Sequence, residues 1–135
     1  MNIPASRAAP RRATRARVCV VDDDESVREA LPDLLGEFGY ATRAFASAEE
    51  FLASGAVAET DCLVLDMAMP GMTGPELQLE LKRLGHAVPI VFITAHADDP
   101  AVPRLLRQGA VACLPKPFSD TALFQAVNAA LRGQG

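Results

Sequence analysis

Five residues suited to handling a phosphoryl group stand far apart in this 135-residue sequence: Asp22, Asp23, Asp66, Thr94 and Lys116. Each follows a short apolar run, at residues 17–21, 62–65, 88–93 and 110–115. Runs this apolar read as strands buried on both faces, where a charge has no place. The polar residue marks where the strand leaves the core, and in open α/β sheets ligands bind at the carboxyl ends of the strands. Three carboxylates brought together there repel one another, and their ionised forms persist only beside a compensating cation. Magnesium suits the task because it takes a few oxygen ligands and keeps several waters, so two or three aspartates and one carbonyl suffice. Asp66 could then act as a carboxylate nucleophile toward phosphorus, with the metal and Lys116 neutralising equatorial oxygens and Thr94 donating a hydrogen bond. Each residue alone also has a plainer reading. Asp66 could be a strand-end carboxylate meeting solvent, Asp22 to Asp24 acids favoured by a helix dipole, and Lys116 a surface lysine.

The elements that must position these residues alternate along the chain. After strand 17–21, Val27, Leu31, Leu34, Leu35 and Phe38 recur at helical spacing, with Asp24 as N-cap and Gly39 at the end. Pro32 predicts a kink. Residues 40–46 form the weakest strand, and Ser47-Ala48-Glu49-Glu50 matches a capping box that opens a short helix burying Phe51 and Leu52 and stopping near Gly55. Strand 62–66 and a Pro-Gly-Met-Thr-Gly loop lead to a helix with Pro75 in its first turn, carrying Leu77, Leu81 and Leu84 and ending at Gly85. Beyond strand 88–93, Pro100 and Pro103 crowd a helix holding Leu105 and Leu106, which should begin late or fray. Strand 110–115 contains a proline and fits a sheet edge. Ser119 caps a last helix with Leu123, Ala126, Val127, Ala130 and Leu131 on one face, ending before Gly133. Arg104 and Arg107 with Val102 and Leu105 read as a partner surface, with ordinary solvation of the two arginines as the alternative. Five strands alternating with five helices over short connections specify an α/β sheet with right-handed crossovers and helices on both faces.

Four stretches in register, Val21-Asp22-Asp23-Asp24, Leu65-Asp66-Met67-Ala68-Met69-Pro70-Gly71, Ile93-Thr94-Ala95 and Leu114-Pro115-Lys116-Pro117-Phe118, resemble the signatures of the receiver domain of two-component response regulators. The resemblance covers residues 17–132. Around Phe45-Ala46-Ser47-Ala48-Glu49-Glu50-Phe51 and Ile93-Thr94-Ala95-His96-Ala97-Asp98 it is closest to the FixJ-type subgroup. It implies a flavodoxin-like five-stranded parallel sheet of order 2-1-3-4-5. It further implies that Asp66 accepts a phosphoryl group from a sensor histidine kinase or a phosphotransfer protein. Asp23, Asp66 and the Ala68 backbone carbonyl would ligate Mg2+, and Asp22 would hold a metal-bound water. Thr94 would be the switch hydroxyl and Lys116 the partner of a phosphoryl oxygen, with a cis peptide between Lys116 and Pro117. The sequence departs from the family at Cys113, where members commonly carry Tyr or Phe; a thiol has no ring to swing inward when the threonine moves. Ala68 and His96, two residues after Asp66 and Thr94, would tune the lifetime of the acyl phosphate. His96 reads as an exposed loop residue rather than a general base, because nothing nearby orients it.

Composition bounds the rest. Half the chain is hydrophobic, which suits one core and one domain, residues 17–132, followed by a short tail at 133–135. Five arginines fall in the first 17 residues, and removing them leaves eight basic residues against 17 acidic ones. The folded part is therefore acidic, which disfavours nucleic acid as a direct ligand. The Arg/Ala/Pro-rich leader, residues 1–16, has no apolar run and reads as a disordered tail rather than a secretory signal or a membrane span; a transit peptide or a weak nucleic-acid arm is the alternative. Three cysteines without metal-ligand spacing fit a reduced, cytoplasmic setting.

Three functions compete. The first is a phosphorylation-switched signalling module acting through a downstream protein partner or a missing output domain, and not an enzyme beyond slow autodephosphorylation. The second is an aspartyl-nucleophile phosphatase of the haloacid dehalogenase type, against which Ala68 stands where the acid/base aspartate belongs. The third is a receiver-shaped scaffold that is not phosphorylated.

Overall fold

The computed structural model describes residues 15–133. The proposed leader up to residue 14 and the last two residues of the tail lie outside the described residues. The strands are β1 (Arg17–Val21), β2 (Ala41–Phe45), β3 (Cys62–Asp66), β4 (Ile90–Thr94) and β5 (Ala112–Pro115). The helices are α1 (Glu25–Glu37), α2 (Ala48–Ala53), α3 (Gly74–Arg83), α4 (Val102–Arg107) and α5 (Asp120–Arg132), with a 3-10 turn at Val57–Glu59. All neighbouring strands pair in parallel in the order β2-β1-β3-β4-β5, the order that the resemblance implied.

Alternation along the central strands divides the core between the two faces of the sheet. Val18, Val20, Val64, Val91 and Ile93 pack with Leu31 and Leu35 of α1 and with Leu123 and Val127 of α5. Cys19, Val21, Leu63, Leu65 and Phe92 face the other way, toward Phe51 of α2, Leu77 and Leu81 of α3 and Leu105 of α4. At about 25 cal/mol per Å2 of apolar surface removed from water, this two-sided burial is the main force holding the sheet between its helices.

Several local expectations are refined. α1 runs through Pro32 to Glu37 as one helix, and the Pro32 carbonyl accepts from the Thr42 hydroxyl at 3.4 Å. β4 begins at Ile90 rather than residue 88, although the Pro89 carbonyl already accepts from the Leu63 amide at 2.9 Å; Pro89 has no N–H of its own for the ladder. α4 is short, starts late at Val102 and has no capping side chain, as its two prolines imply. The partner surface expected there is corrected. Leu105 is fully buried and Val102 packs on the core, so of the four residues only Arg104 and Arg107 are exposed on α4, together with Leu106. The box at Ser47 is displaced by one residue: Ser47 accepts from the Glu50 amide, but Glu50 reaches back to the Ala46 amide rather than to that of Ser47. A full capping box stands at Thr73 and Glu76, where Thr73-Gly74-Pro75-Glu76 carried the signature unread.

Candidate functional site

Register places the polar strand ends at one rim. Val21 pairs with Leu65, Asp66 with Ile93 and Thr94 with Pro115, so the residues that follow β1 and β5 emerge beside the ends of β3 and β4. The Lys116 amide donates to the Thr94 carbonyl at 2.7 Å, and the Lys116–Pro117 peptide is cis, as expected. Asp22, Asp23, Asp66, Ala68, Thr94 and Lys116 all line one open pocket of about 530 Å3. Every site residue named from the sequence is therefore in one place.

Carboxylate oxygens of Asp22, Asp23 and Asp66 lie within 4.8 Å of one another. Asp22 is fully buried and both its oxygens have protein partners: the Asp24 amide donates to Oδ1 at 2.9 Å, and Lys116 Nζ donates to Oδ2 at 3.3 Å. Asp23 is exposed. Lys116 Nζ stands 3.9 Å from Asp66 Oδ1. Asp66 itself is 6% exposed, and its pKa is pushed up from 3.8 to about 6. Burial is the chief cause and Asp22 the next, opposed by Lys116 and by the Ala68 N–H that donates to the carboxylate. Three carboxylates against one ammonium leave negative charge uncompensated, and a small all-oxygen site with that surplus fits a hard divalent cation.

Thr94 is buried, and its hydroxyl is occupied by its own loop: it donates to the His96 carbonyl at 3.2 Å and accepts from the His96 amide at 3.0 Å. The His96 side chain is exposed, as expected. Cys113 does not line the pocket; it is half-buried, and burial raises its thiol pKa. Asp99, which the sequence reading passed over, lines the pocket and accepts from the Ala101 amide at 2.9 Å, bracing the entry to α4.

The profile of the response regulator receiver domain matches residues 18–128. This chain belongs to that family. Receivers are the phosphoacceptor modules of two-component signalling, and neither the scaffold nor the phosphatase reading is favoured for this one. Nodulation protein W of Bradyrhizobium diazoefficiens is 47% identical over 118 residues, covering 87% of this chain and 52% of that protein. The transcriptional regulatory protein FixJ of Azorhizobium caulinodans is 40% identical over 114 residues, covering 84% of this chain and 54% of that one. The receiver thus spans about half the length of these curated relatives. Among solved structures, FixJ-N superposes with a TM-score of 0.78 at 37% identity, covering 87% of this chain and 94% of that chain. The response regulator StyR superposes at 0.82 with 46% identity, covering 88% of this chain and 60% of that one. Among the described residues no helix is long and apolar enough to cross a membrane.

Proposed function

We propose that Asp66 is the residue phosphorylated in this receiver. Asp23 and Asp66 with the Ala68 carbonyl would hold Mg2+, and Asp22, whose oxygens are already engaged by Lys116 and the Asp24 amide, would hold a metal-bound water. The observation that carries this reading is the meeting of Asp66 with Asp22, Asp23, Thr94 and Lys116 in one pocket. Mg2+, when bound, supplies charge neutralisation at the phosphoryl oxygens. The carboxylate of Asp66, ionised at neutral pH with a pKa of about 6, attacks the phosphorus of a phosphohistidine. The P–N bond breaks, its electron pair stays on the imidazole, and an acyl phosphate forms on Asp66. Lys116 needs little movement to pair with a phosphoryl oxygen. The Thr94 hydroxyl must release the His96 carbonyl to donate to another.

The donor is a sensor histidine kinase or a phosphotransfer protein. The recipient of the signal is a downstream protein or an output domain, which the greater length of the relatives supports. Residues 17–132 are the receiver unit, working in the cytoplasm without direct contact to nucleic acid or membrane, and any loss of the phosphoryl group by its own activity is slow.

Incubation with Mg2+ and acetyl phosphate, followed by intact-mass measurement, tests the reading. The unmodified chain gains one labile phosphoryl group and Asp66→Asn gains none. Equal labelling of the two would assign the acceptor elsewhere, and rapid multiple turnover would point to a phosphatase.

A further inference from the structure

We infer that Glu49 is a positioning residue for the loop that follows the acceptor, a conclusion that rests on the proposed reading of the pocket. Between Asp66 and Gly74 the chain must offer the Ala68 carbonyl to the pocket and then reverse into α3. On the inner side the loop is anchored by Met67 and Met69, both buried in the core. At its far end the Gly74 amide donates to the Met67 carbonyl at 3.2 Å, and the Thr73 capping box starts α3. The Met67 amide also donates to the Ile93 carbonyl of β4 at 3.1 Å, so the inner side is tied to the sheet and the core.

The outer side is held from elsewhere. The Met72 amide donates to Glu49 Oε2 at 2.9 Å, a bond to α2 across 23 positions of sequence. Gly71, beside it, has φ +74°, and a Cβ there would stand 2.8 Å from the same carboxylate oxygen. The loop backbone therefore lies close against Glu49 in a conformation that glycine adopts without strain. Division of labour in the Ser47-Ala48-Glu49-Glu50 motif leaves Glu49 free for this. Ser47 caps the Glu50 amide and Glu50 satisfies the Ala46 amide, so both capping duties are met without Glu49. A carboxylate accepting from a backbone N–H is the stronger kind of hydrogen bond, although here water competes with it.

Hydrogen exchange and metal titration on the full chain, both read from backbone amide NMR signals, test the inference. Glu49→Ala speeds exchange of the Met72 amide by about tenfold. It weakens Mg2+ binding by about 3- to 10-fold, less than a buried outer-shell partner would because the bond is exposed. Glu49→Gln, which keeps an acceptor oxygen, restores both, and melting followed by circular dichroism is nearly the same for all three proteins. Unchanged Met72 exchange in Glu49→Ala, unchanged Mg2+ affinity, or a Gln variant no better than Ala would overturn the assignment. If the unmodified chain binds no Mg2+, the metal reading of the pocket falls and so does the consequence for affinity, while the exchange rate still decides whether Glu49 holds the loop.

Discussion

The two rims of the sheet bury polar groups with opposite results. At the carboxyl rim Asp22, Asp66 and Thr94 are buried among other polar groups, and the cost of keeping Asp66 ionised is burial first and repulsion from Asp22 next, both of which a bound cation offsets. At the amino rim a groove of about 460 Å3 runs between the α3–β4 and α4–β5 turns and the end of α5. Gln78, 3% exposed, lines it among Leu81, Val88 and Ile90, and its Oε1 has no hydrogen-bond partner. Burial of a neutral acceptor without a donor there costs free energy that does not vary with pH. One rim stores an instability that a ligand can discharge; the other carries a fixed one.

The largest expected effect is at Gly74. A Cβ there would collide with the Asp66 backbone carbonyl and press on the Met67 Cα, so Gly74→Ala must displace the acceptor strand end itself. Urea unfolding without divalent cation should show a loss of about 3 kcal/mol. An unchanged midpoint would mean the carboxyl rim yields more easily than its packing indicates.

The next effect sharpens the contrast through pH. The Asp66 pKa in the folded protein is raised from 3.8 to about 6, so the folded state binds this proton more tightly than the unfolded chain does. Stability from this group is fully present below about pH 4 and is lost as pH rises through about 6, by on the order of 2 kcal/mol in metal-free buffer. Asp66→Asn should lack that component when the two unfolding profiles are subtracted, and Mg2+ should return stability to the unmodified chain above pH 6. Replacing Gln78 should leave the slope with pH as it was. The smallest effect is Gln78→Leu itself, which removes the orphaned oxygen and should be neutral or stabilising by about 1 kcal/mol in thermal or urea unfolding. A clear loss would show that the amide does work in the groove.

The sequence revealed most where burial is complete. β1, β3 and β4 are buried on both faces, so their apolar runs are uninterrupted and the polar residues ending them stand out. At the edges the pattern thins. β2 is buried only at Phe45 and β5 nowhere fully, and β5 proved shorter, at Ala112–Pro115, than the stretch from residue 110. The Asp66, Thr94 and Lys116 grouping was legible because parallel strands must end at one rim. Glu49 and Asp99 were not, because each acts through a backbone N–H whose place depends on how a loop folds.

Arg17 opens β1 with its amide bonded to Asp61 and its guanidinium paired with Glu59, and Gly133, which closes α5, borders the groove beside Ile90. Both doorways of the described chain thus lie at the amino rim of the sheet, a strand's length of about 17 Å from the acidic pocket. A tether attached at either doorway, whether to a bead or to a fluorescent protein, leaves the chemistry at the far side free to meet a visiting histidine.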